Sequence, residues 1–327
     1  MDAALALLAQ CYPQPGTGFE GPSWVPDLRA YPPAFRDQEE GYQASGLSPA
    51  NFYVEDEGPL VATGKLCDAV SFVAESSDAN AASMMELLRR LQPANIHPAP
   101  SYITDEPFLD AWARTLVLDL TAERFPTIRH EPLEALKARL LTVLESDETD
   151  GRSAESELNA VNNSVRDTWT DMRFFTAGKF MGFGPFDMQP GDVVSVLLGL
   201  STPLIIRPAK GGAYTVVGWA YVHGLMDGEA LLGPLLPTWR SKQYWTNRRF
   251  LVRYQNIETS RIQRSDPRLQ PLPSDWRRVY ADVTQDDSVV VAHYRNRGTG
   301  EVINYDPRMT RHALLRRGVQ LDYVRLV

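Results

Sequence analysis

Between residues 80 and 170 the apolar positions recur at i, i+3 and i+4 in four segments. These are ASMMELLRRL, PFLDAWARTLVLDLTAERF, EPLEALKARLLTVLE and SAESELNAVNNSVRDTWTDMRFFT. Each predicts an amphipathic helix. Asp105-Glu106-Pro107 and Glu131-Pro132 place an acid and a proline at helix starts, where the helix dipole and the missing N–H suit them. Residues 146–156 (SDETDGRSAES) are acidic and polar and predict a loop before the fourth helix. On either side the period changes. NFYV and PLVATGKLCDAVSFVAE flank Asp56-Glu57-Gly58 and predict two strands joined by a hairpin. Arg173-Phe174-Phe175-Thr176, Gly178 and FMGFGP predict a second hairpin.

Residues 191–231 are the densest β signal. GDVVSVLLG, PLIIRP and YTVVGWAYV are rich in β-branched and aromatic residues, and Gly or Pro marks each boundary. Gly218 inside the third run predicts a bulge or a barrel corner. Three such strands in one short stretch predict a small antiparallel barrel-like unit. The fold class expected is therefore α+β. Residues 1–79 read as a Pro/Gly-rich docked segment with a hairpin, 80–170 as helical, 171–234 as the barrel-like unit, and 235–327 as a tandem of small sheets with a tail. The tail reads as a basic helical turn, TRHALLRRG, followed by a strand in GVQLDYVRLV. At the front, residues 2–10 read as a short helix and Trp24 as a packing anchor.

The tandem is visible as a repeat. Residues 235–269 and 271–309 each open on Leu-Pro and then a tryptophan, Trp239 or Trp276. Each passes through Tyr-x-Asn, at Tyr254 and Asn256 or Tyr294 and Asn296, and closes on Asp-Pro-Arg, with Pro267 or Pro307. Each unit resembles a WW domain, a three-stranded antiparallel sheet. The resemblance implies that Trp239, Trp276, Tyr254 and Tyr294 hold the sheets together and are the candidate binding aromatics, with Tyr305 as a displaced substitute. The aromatic groove positions of that family hold Arg253 and Arg264 in the first unit and His293 and Asn304 in the second, so recognition of proline-rich peptides is not expected.

A wider resemblance rests on an ordered set of motifs. PSWVPDL, QASG, RFFTAGKFMGFGPFDMQPGD, GDVVSVLLG, P-x-x-x-R-P and VVGWAYVHGLMDGEAL follow one another across most of residues 20–231. The set resembles the region of fungal heterokaryon-incompatibility proteins that follows their N-terminal incompatibility domain. The Ser-Tyr-x-Trp-Gly-like and Asp-x-x-Cys-Ile-Asn-Gln-like segments of that domain are absent from these 327 residues, so the chain is expected to be a truncated relative or a fragment. The resemblance implies a role in self/non-self recognition and the associated cell-death response, as a binding or regulatory scaffold.

Composition narrows the alternatives. A 43% hydrophobic content over 327 residues supports a sizeable core and more than one unit. A net charge of −8 argues against a general nucleic-acid or acidic-membrane binder, while leaving room for local basic patches. No apolar run reaches membrane-spanning length, and the opening residues lack a signal-peptide pattern, so a cytoplasmic protein is expected. Two cysteines, Cys11 and Cys67, give neither a disulfide framework nor a metal pattern; Cys67 lies in an apolar run and reads as core, and no disulfide or cofactor is assigned.

The strongest catalytic-looking cluster is His223, Asp227 and Glu229 in YVHGLMDGEAL. These residue types suit acid/base work or a metal, and a hydrolase or metal-dependent enzyme built on them is one alternative function. A peptide-binding adaptor working through the tandem sheets is another. The spacing fits no helical metal motif, and two glycines make the stretch a turn, so His223 and Asp227 are expected to hydrogen-bond its backbone rather than catalyse. Gly182-Phe183-Gly184-Pro185 lacks the Lys-Ser/Thr of a phosphate loop, and no nucleophile elbow or dinucleotide fingerprint is present. The expectation is a non-enzyme with an unnamed protein partner.

Overall fold

The computed structural model describes residues 11, 21–26, 41–56, 58–74, 88–90, 101–126, 130–145, 172–246, 249–280 and 292–327. Among the described residues the architecture is α+β: one nine-stranded sheet, two three-stranded antiparallel sheets, and few helices. The large sheet takes strands from distant parts of the chain. β1 (Phe52–Val54) and β2 (Leu60–Val73) form the predicted first hairpin. β3 (Met172–Ala177) and β4 (Phe180–Pro185) form the second. β5 (Val193–Leu197), β6 (Leu204–Pro208), β7 (Tyr214–Trp219) and β8 (Tyr221–Val222) are the three predicted runs, the last broken at Ala220. The final strand of the chain, at Asp322–Leu326, joins them.

The long strand β2 organises the sheet. Its first half pairs with the Asp322–Leu326 strand and with β5 at Gly64, and its second half with β5 and then β3. From β5 the ladder runs to β6 and β7, and Leu326 meets Tyr214 of β7, so the pairings return to β2. That last contact is a single parallel pair, and Ser23 reinforces it. Its backbone N–H and hydroxyl both reach Val327 O, while its oxygen accepts from Val216 N at 2.9 Å. The predicted bulge at Gly218 is present: the β6–β7 register shifts there, φ is +151°, and a Cβ would sit 2.6 Å from Pro185.

Alternation along these strands divides the core. Phe174, Phe183, Trp219 and Tyr221 join the helical layer, while Phe175, Val194, Val196, Ile205, Val217 and Val222 form a second cluster. The sequence motifs acquire a physical reason here. Asp192, which follows the Pro-Gly turn, is buried and holds Arg207 of P-x-x-x-R-P through two contacts of 2.8 and 3.0 Å. Arg207 also donates to Asp187 O at 2.7 Å, so the two motifs pin the start of β5 to the end of β6.

The predicted helical stretch contains α1 (Phe108–Leu116) and α2 (Leu133–Glu145). They pack through Trp112, Leu116, Leu136 and Leu140 against Phe174, Phe183 and Tyr221. The segment predicted helical over 107–125 stops early. Leu118 and Asp119 take φ of +52° and +55°, and Asp119 N–H bonds back to Arg114 O at 2.6 Å. Two consecutive left-handed non-glycine residues end a helix whatever its periodicity. The last residues of the segment predicted helical up to 176 form β3 instead; its remainder, the loop at 146–156 and the helix at 2–10 lie outside the described residues. Of the first predicted helix, 88–90 is described and is helical. A third helix, α3 (Glu229–Leu232), follows the β8 turn.

After it come the two predicted small sheets: β9 (Trp239–Thr246), β10 (Arg249–Asn256) and β11 (Ile262–Gln263), then β12 (Trp276–Tyr280), β13 (Ala292–Asn296) and β14 (Val302–Ile303). A fourth helix, α4 (Arg311–Arg316), is capped by the Thr310 hydroxyl, which accepts from Ala313 N at 3.2 Å. The closing strand β15 (Asp322–Leu326) then returns the chain to β2. No described helix is long and apolar enough to cross a membrane.

Gly182 tests this packing. A Cβ there would stand 2.1 Å from Tyr221 O, a backbone atom of the neighbouring strand. Gly182→Ala is expected to lower stability by about 1–3 kcal/mol, as overpacking of a rigid site does, read as a drop in the urea midpoint. A midpoint equal to wild type would show that the β4–β8 contact is loose.

Candidate functional site

The turn after β8, residues 223–228, is where the large sheet, the α1 layer and the first small sheet meet. Gly224 and Gly228 take φ of +84° and +85°, a region that other residues occupy at a cost, so the chain reverses there. The turn carries His223, Asp227 and Glu229, and all three point to partners from elsewhere in the chain or to the turn itself.

Asp227 faces Arg124, which lies just beyond the left-handed end of α1. Arg124 Nη1 and Nη2 donate to the two Asp227 oxygens at 2.7 and 2.8 Å, a bidentate fork. The guanidinium is 5% exposed, reaches Asp119 at 3.3 Å and Gly41 O at 3.3 Å, and lies 5.1 Å from the Tyr42 ring centroid. Asp119 also accepts from Arg114 at 2.6 Å, and Arg114 reaches Glu106 at 3.2 Å. The result is an alternating chain of charges: Glu106, Arg114, Asp119, Arg124, Asp227. Burial alone would raise the carboxyl of Asp119, but Arg114 and Arg124 outweigh it and hold it below the ordinary carboxylate value. Burial would likewise lower the Arg124 pKa, and Asp227 and Asp119 reverse the sign.

His223 closes the other end of this chain. Its Nε2 is 2.7 Å from Glu106 Oε1 and its Nδ1 is 2.8 Å from the Tyr221 hydroxyl. Burial works to raise Glu106, but His223, Thr104 and Arg114 together hold it low, so it is ionised and only accepts. Nε2 therefore carries a proton, and in the neutral ring Nδ1 accepts from Tyr221. The order carboxylate, imidazole, hydroxyl is that of a proton relay. Its terminal hydroxyl, however, belongs to a residue 1% exposed, packed in the core beside Tyr42. The relay therefore ends on a hydroxyl inside the core.

The expectation that His223 and Asp227 hydrogen-bond the turn backbone is corrected by these contacts. Both side chains cross to other elements, because the helical layer presents them with charged partners. Glu229 takes the turn role instead, its carboxylate accepting from Asp227 N at 2.7 Å. Burial and then the nearby Asp227 raise the Glu229 carboxyl above its usual value, against the pull of Arg268. Glu229 also lines a cavity of about 180 Å³, with Lys65, Cys67, Thr104, Phe180 and Ala230 among its walls. Lys65 Nζ is held there by Ala230 O at 2.9 Å, and burial pushes the Cys67 thiol up to about 11, away from a thiolate. Neither His223 nor Asp227 lines this space. Among the described residues, no group of three or more His, Cys, Asp or Glu is placed to hold a metal ion.

Four of the candidate binding aromatics sit in the small sheets, and Tyr305 follows the last strand of the second. Tyr254 and Tyr294 are buried, at 5% and 8% exposure, while Trp239, Trp276 and Tyr305 are half-buried. The two sheets share one set of bonds. Trp239 pairs with Asn256 and Trp276 with Asn296. Asn256 Oδ1 accepts from Glu258 N and Thr259 N, and Asn296 Oδ1 from Gly298 N and Thr299 N, at 2.9–3.1 Å. Tyr294 donates to Asp306 at 3.0 Å, and Tyr254 is bonded likewise to Asp266. Asp266 grips Arg268 as Asp306 grips Arg308, through the backbone N and two guanidinium nitrogens each. Each arginine then reaches the carbonyl six residues before its own tryptophan, Gly233 O at 2.6 Å for Arg268 and Gln270 O for Arg308. Arg268 also donates to Asp227 O at 2.5 Å, and Ser241 to Asp227 Oδ1 at 3.1 Å. The first sheet is thus tied to the same aspartate as Arg124.

Sequence reasoning missed Glu106, Arg114, Asp119 and Arg124. The available signal was charge inside apolar runs: Asp119 between Leu118 and Leu120, and Arg124 beside Phe125.

Removing one partner of a buried pair leaves an uncompensated charge. Arg124→Met is therefore expected to cost about 3–5 kcal/mol in denaturant unfolding, and Arg124→Met combined with Asp227→Leu clearly less than the sum of the two singles. Additive losses would show that the fork carries no coupling. The pH dependence has two signs. Glu106 and Asp119 are depressed, so their stabilisation is present above about pH 4 and is lost as pH falls through their folded values. Glu229 is raised, so the folded state binds its proton more tightly and stability falls as pH rises from about 4 through its folded value. Glu229→Gln keeps an oxygen for Asp227 N and is expected to remove that second slope from a melting-temperature profile. An unchanged profile would refute the assignment.

Residues 148–233 match the model of the Het-6 beta-barrel domain, a range that holds β3 through β8 and the turn bearing His223, Asp227 and Glu229. A 59-residue stretch is 41% identical to heterokaryon incompatibility protein 6, OR allele, of Neurospora crassa, covering 17% of this chain and 9% of that protein. The chain thus aligns with less than a tenth of that relative's length. No solved structure matches it. Through its Het-6 β-barrel segment the chain is similar to fungal heterokaryon-incompatibility proteins.

Proposed function

We propose that this chain is a non-catalytic binding or regulatory scaffold that serves heterokaryon incompatibility, acting in the cytoplasm in self/non-self recognition and the cell-death response that follows it. The observation that carries this reading is the saturation of the charged cluster. His223 is held by Glu106 and Tyr221, Asp227 by Arg124 and Ser241, and Glu229 by the backbone of Asp227. Groups so placed fix one element against another. The relay from Glu106 through His223 stops at a buried tyrosine, and the cavity beside Glu229 holds neither of the other two candidates.

A scaffold and an enzyme differ in how activity follows folding. In a heterokaryon viability assay, His223→Asn and Glu229→Gln are expected to change the response only in proportion to the amount of folded protein, measured by limited proteolysis of the same extracts. A variant that is as abundant and as protease-resistant as wild type, yet has lost the response, would sink the scaffold reading and favour the hydrolase.

A further inference from the structure

The two small sheets have unlike faces. In the first, register and alternation put Trp239, Ser241, Gln243, Val252, Tyr254 and Asn256 on one side. That side faces the body, since Gln243 and Tyr254 are buried, Gln243 N bonds Arg124 O at 2.7 Å, and Ser241 reaches Asp227. The opposite side carries Arg240, Lys242, Arg253 and Gln255. Lys242 lies directly across from Arg253, and the pairing of Tyr254 with Gln263 brings Arg264 level with Arg253 from the third strand. Three cations therefore form a row across three strands. The second sheet repeats the device with Arg277 directly across from Arg295.

Like charges directly opposite each other destabilise a sheet. Burial, and then the neighbouring Arg264, hold the Arg253 guanidinium below its usual value. Arg240, Lys242, Arg253, Arg277 and Arg295 form no ion pair with any described carboxylate. Among the described residues the tandem's acids are used elsewhere: Asp266 and Asp306 grip Arg268 and Arg308, Asp275 is bonded by Asn296, and Glu258 and Glu301 lie in the turns between strands, while Asp282, Asp286 and Asp287 lie outside the described residues. The imbalance is general. Residues 235–327 hold 17 Lys and Arg against 9 Asp and Glu, a net of +8, whereas residues 1–234 hold 16 against 32, a net of −16.

We infer that the outer face of the first small sheet, Lys242 and Arg253 with Arg240 beside them, docks an extended carboxylate-rich segment of a protein partner. The inference rests on the scaffold reading and gives that scaffold its partner chemistry. Guanidinium forks match carboxylates in two-point contact, and a docked acid relieves the repulsion between Lys242 and Arg253. Exposed Ile262, level with Arg240 and Gln255, offers an apolar neighbour of the kind a peptide side chain covers. The face spans two strand spacings, about 10 Å, which suits a few residues of peptide. A long nucleic acid would extend past it toward a body of net −16.

The test is fluorescence anisotropy on the full chain with a short labelled peptide of alternating Glu and Ser, at low and at physiological salt. The Glu peptide is expected to bind and to weaken with salt. The same peptide with Gln for Glu is expected not to bind. Lys242→Gln combined with Arg253→Gln is expected to weaken binding at least about tenfold, a change of about 1.4 kcal/mol. The thermal midpoint of that double variant is expected to stay level or rise, because the opposed charges are gone. Equal binding of the Gln peptide, undiminished binding by the double variant, or no binding at all would overturn the inference. Tighter binding of an oligouridylate of equal charge would overturn it in favour of RNA. A dimer seen by sedimentation and lost in the double variant would overturn it in favour of a second copy of the chain. None of these outcomes touches the scaffold reading, which stands or falls on the His223 and Glu229 variants.

Discussion

The structure depends on one buried ion pair, Arg124 with Asp227. Four separate segments meet at it. Arg124 follows the α1 layer, Asp227 sits in the turn after β8, Gly41 and Tyr42 bring an N-terminal stretch to the guanidinium, and Ser241 and Arg268 bring the first small sheet to the aspartate. Neither ion comes cheaply into the core. Desolvating two charges costs several kcal/mol each, and an apolar pair of equal volume is often as stable. What the pair adds is a geometric requirement: a two-point fork aligns only when the helical layer, the turn and the small sheet are all in register. The left-handed backbone at Leu118 and Asp119 follows from the same demand, because Asp119 must reach both Arg114 and Arg124. The helix ends where the charge network needs a carboxylate.

The strand ladder imposes the second constraint. β2 is long enough to pair with β15 and β5 along one half and with β5 and β3 along the other, so a single strand joins the first hairpin to the last described strand. The circuit closes through one residue pair, Leu326 with Tyr214, and Ser23 and Val327 strengthen it where the ladder is thinnest. The helices then cover Phe174, Phe183 and Tyr221 on one face, and Asp192 with Arg207 ties the first turn of the compact β stretch to its second strand. Those two residues are polar positions in motifs otherwise made of apolar and turn residues, and their contact explains why a charged pair belongs there.

Much of this was legible in the sequence, and the failures are specific. Strand positions from 51 to 75 and from 171 to 222 follow from apolar runs bounded by Gly and Pro, and the bulge at Gly218 from a glycine inside such a run. The repeated small sheets were visible because Trp, Tyr-x-Asn and Asp-Pro-Arg recur in order, and each of those residues proves to make the same bond in both copies. Periodicity failed at residues 117–125. It records which residues are apolar and is blind to two that take positive φ. At the candidate site, local sequence presented His223, Asp227 and Glu229 as neighbours, yet His223 and Asp227 each answer to a different distant partner and Glu229 alone stays with the turn. Contacts such as Glu106 with His223 or Arg124 with Asp227 span more than a hundred residues, and no spacing rule reports them.

The tandem sheets separate two uses of arginine that composition alone merges. Arg268 and Arg308 are structural: each is paired with the aspartate two residues before it and seals its unit by gripping a carbonyl upstream of the tryptophan. Their charge is neutralised within the repeat and their donors are spent. The arginines on the outer face obey a different logic. Arg253 faces Lys242, and Arg277 faces Arg295, and like charges directly opposite each other destabilise a strand pair. Folding therefore does not account for them. Because the closing arginines already hold each sheet together, the outer face is free of structural duty, and a repulsion of this size is tolerable on an element anchored through Asp227. The same aspartate that fixes the core thus lets the small sheet carry Lys242 opposite Arg253 on its outer face.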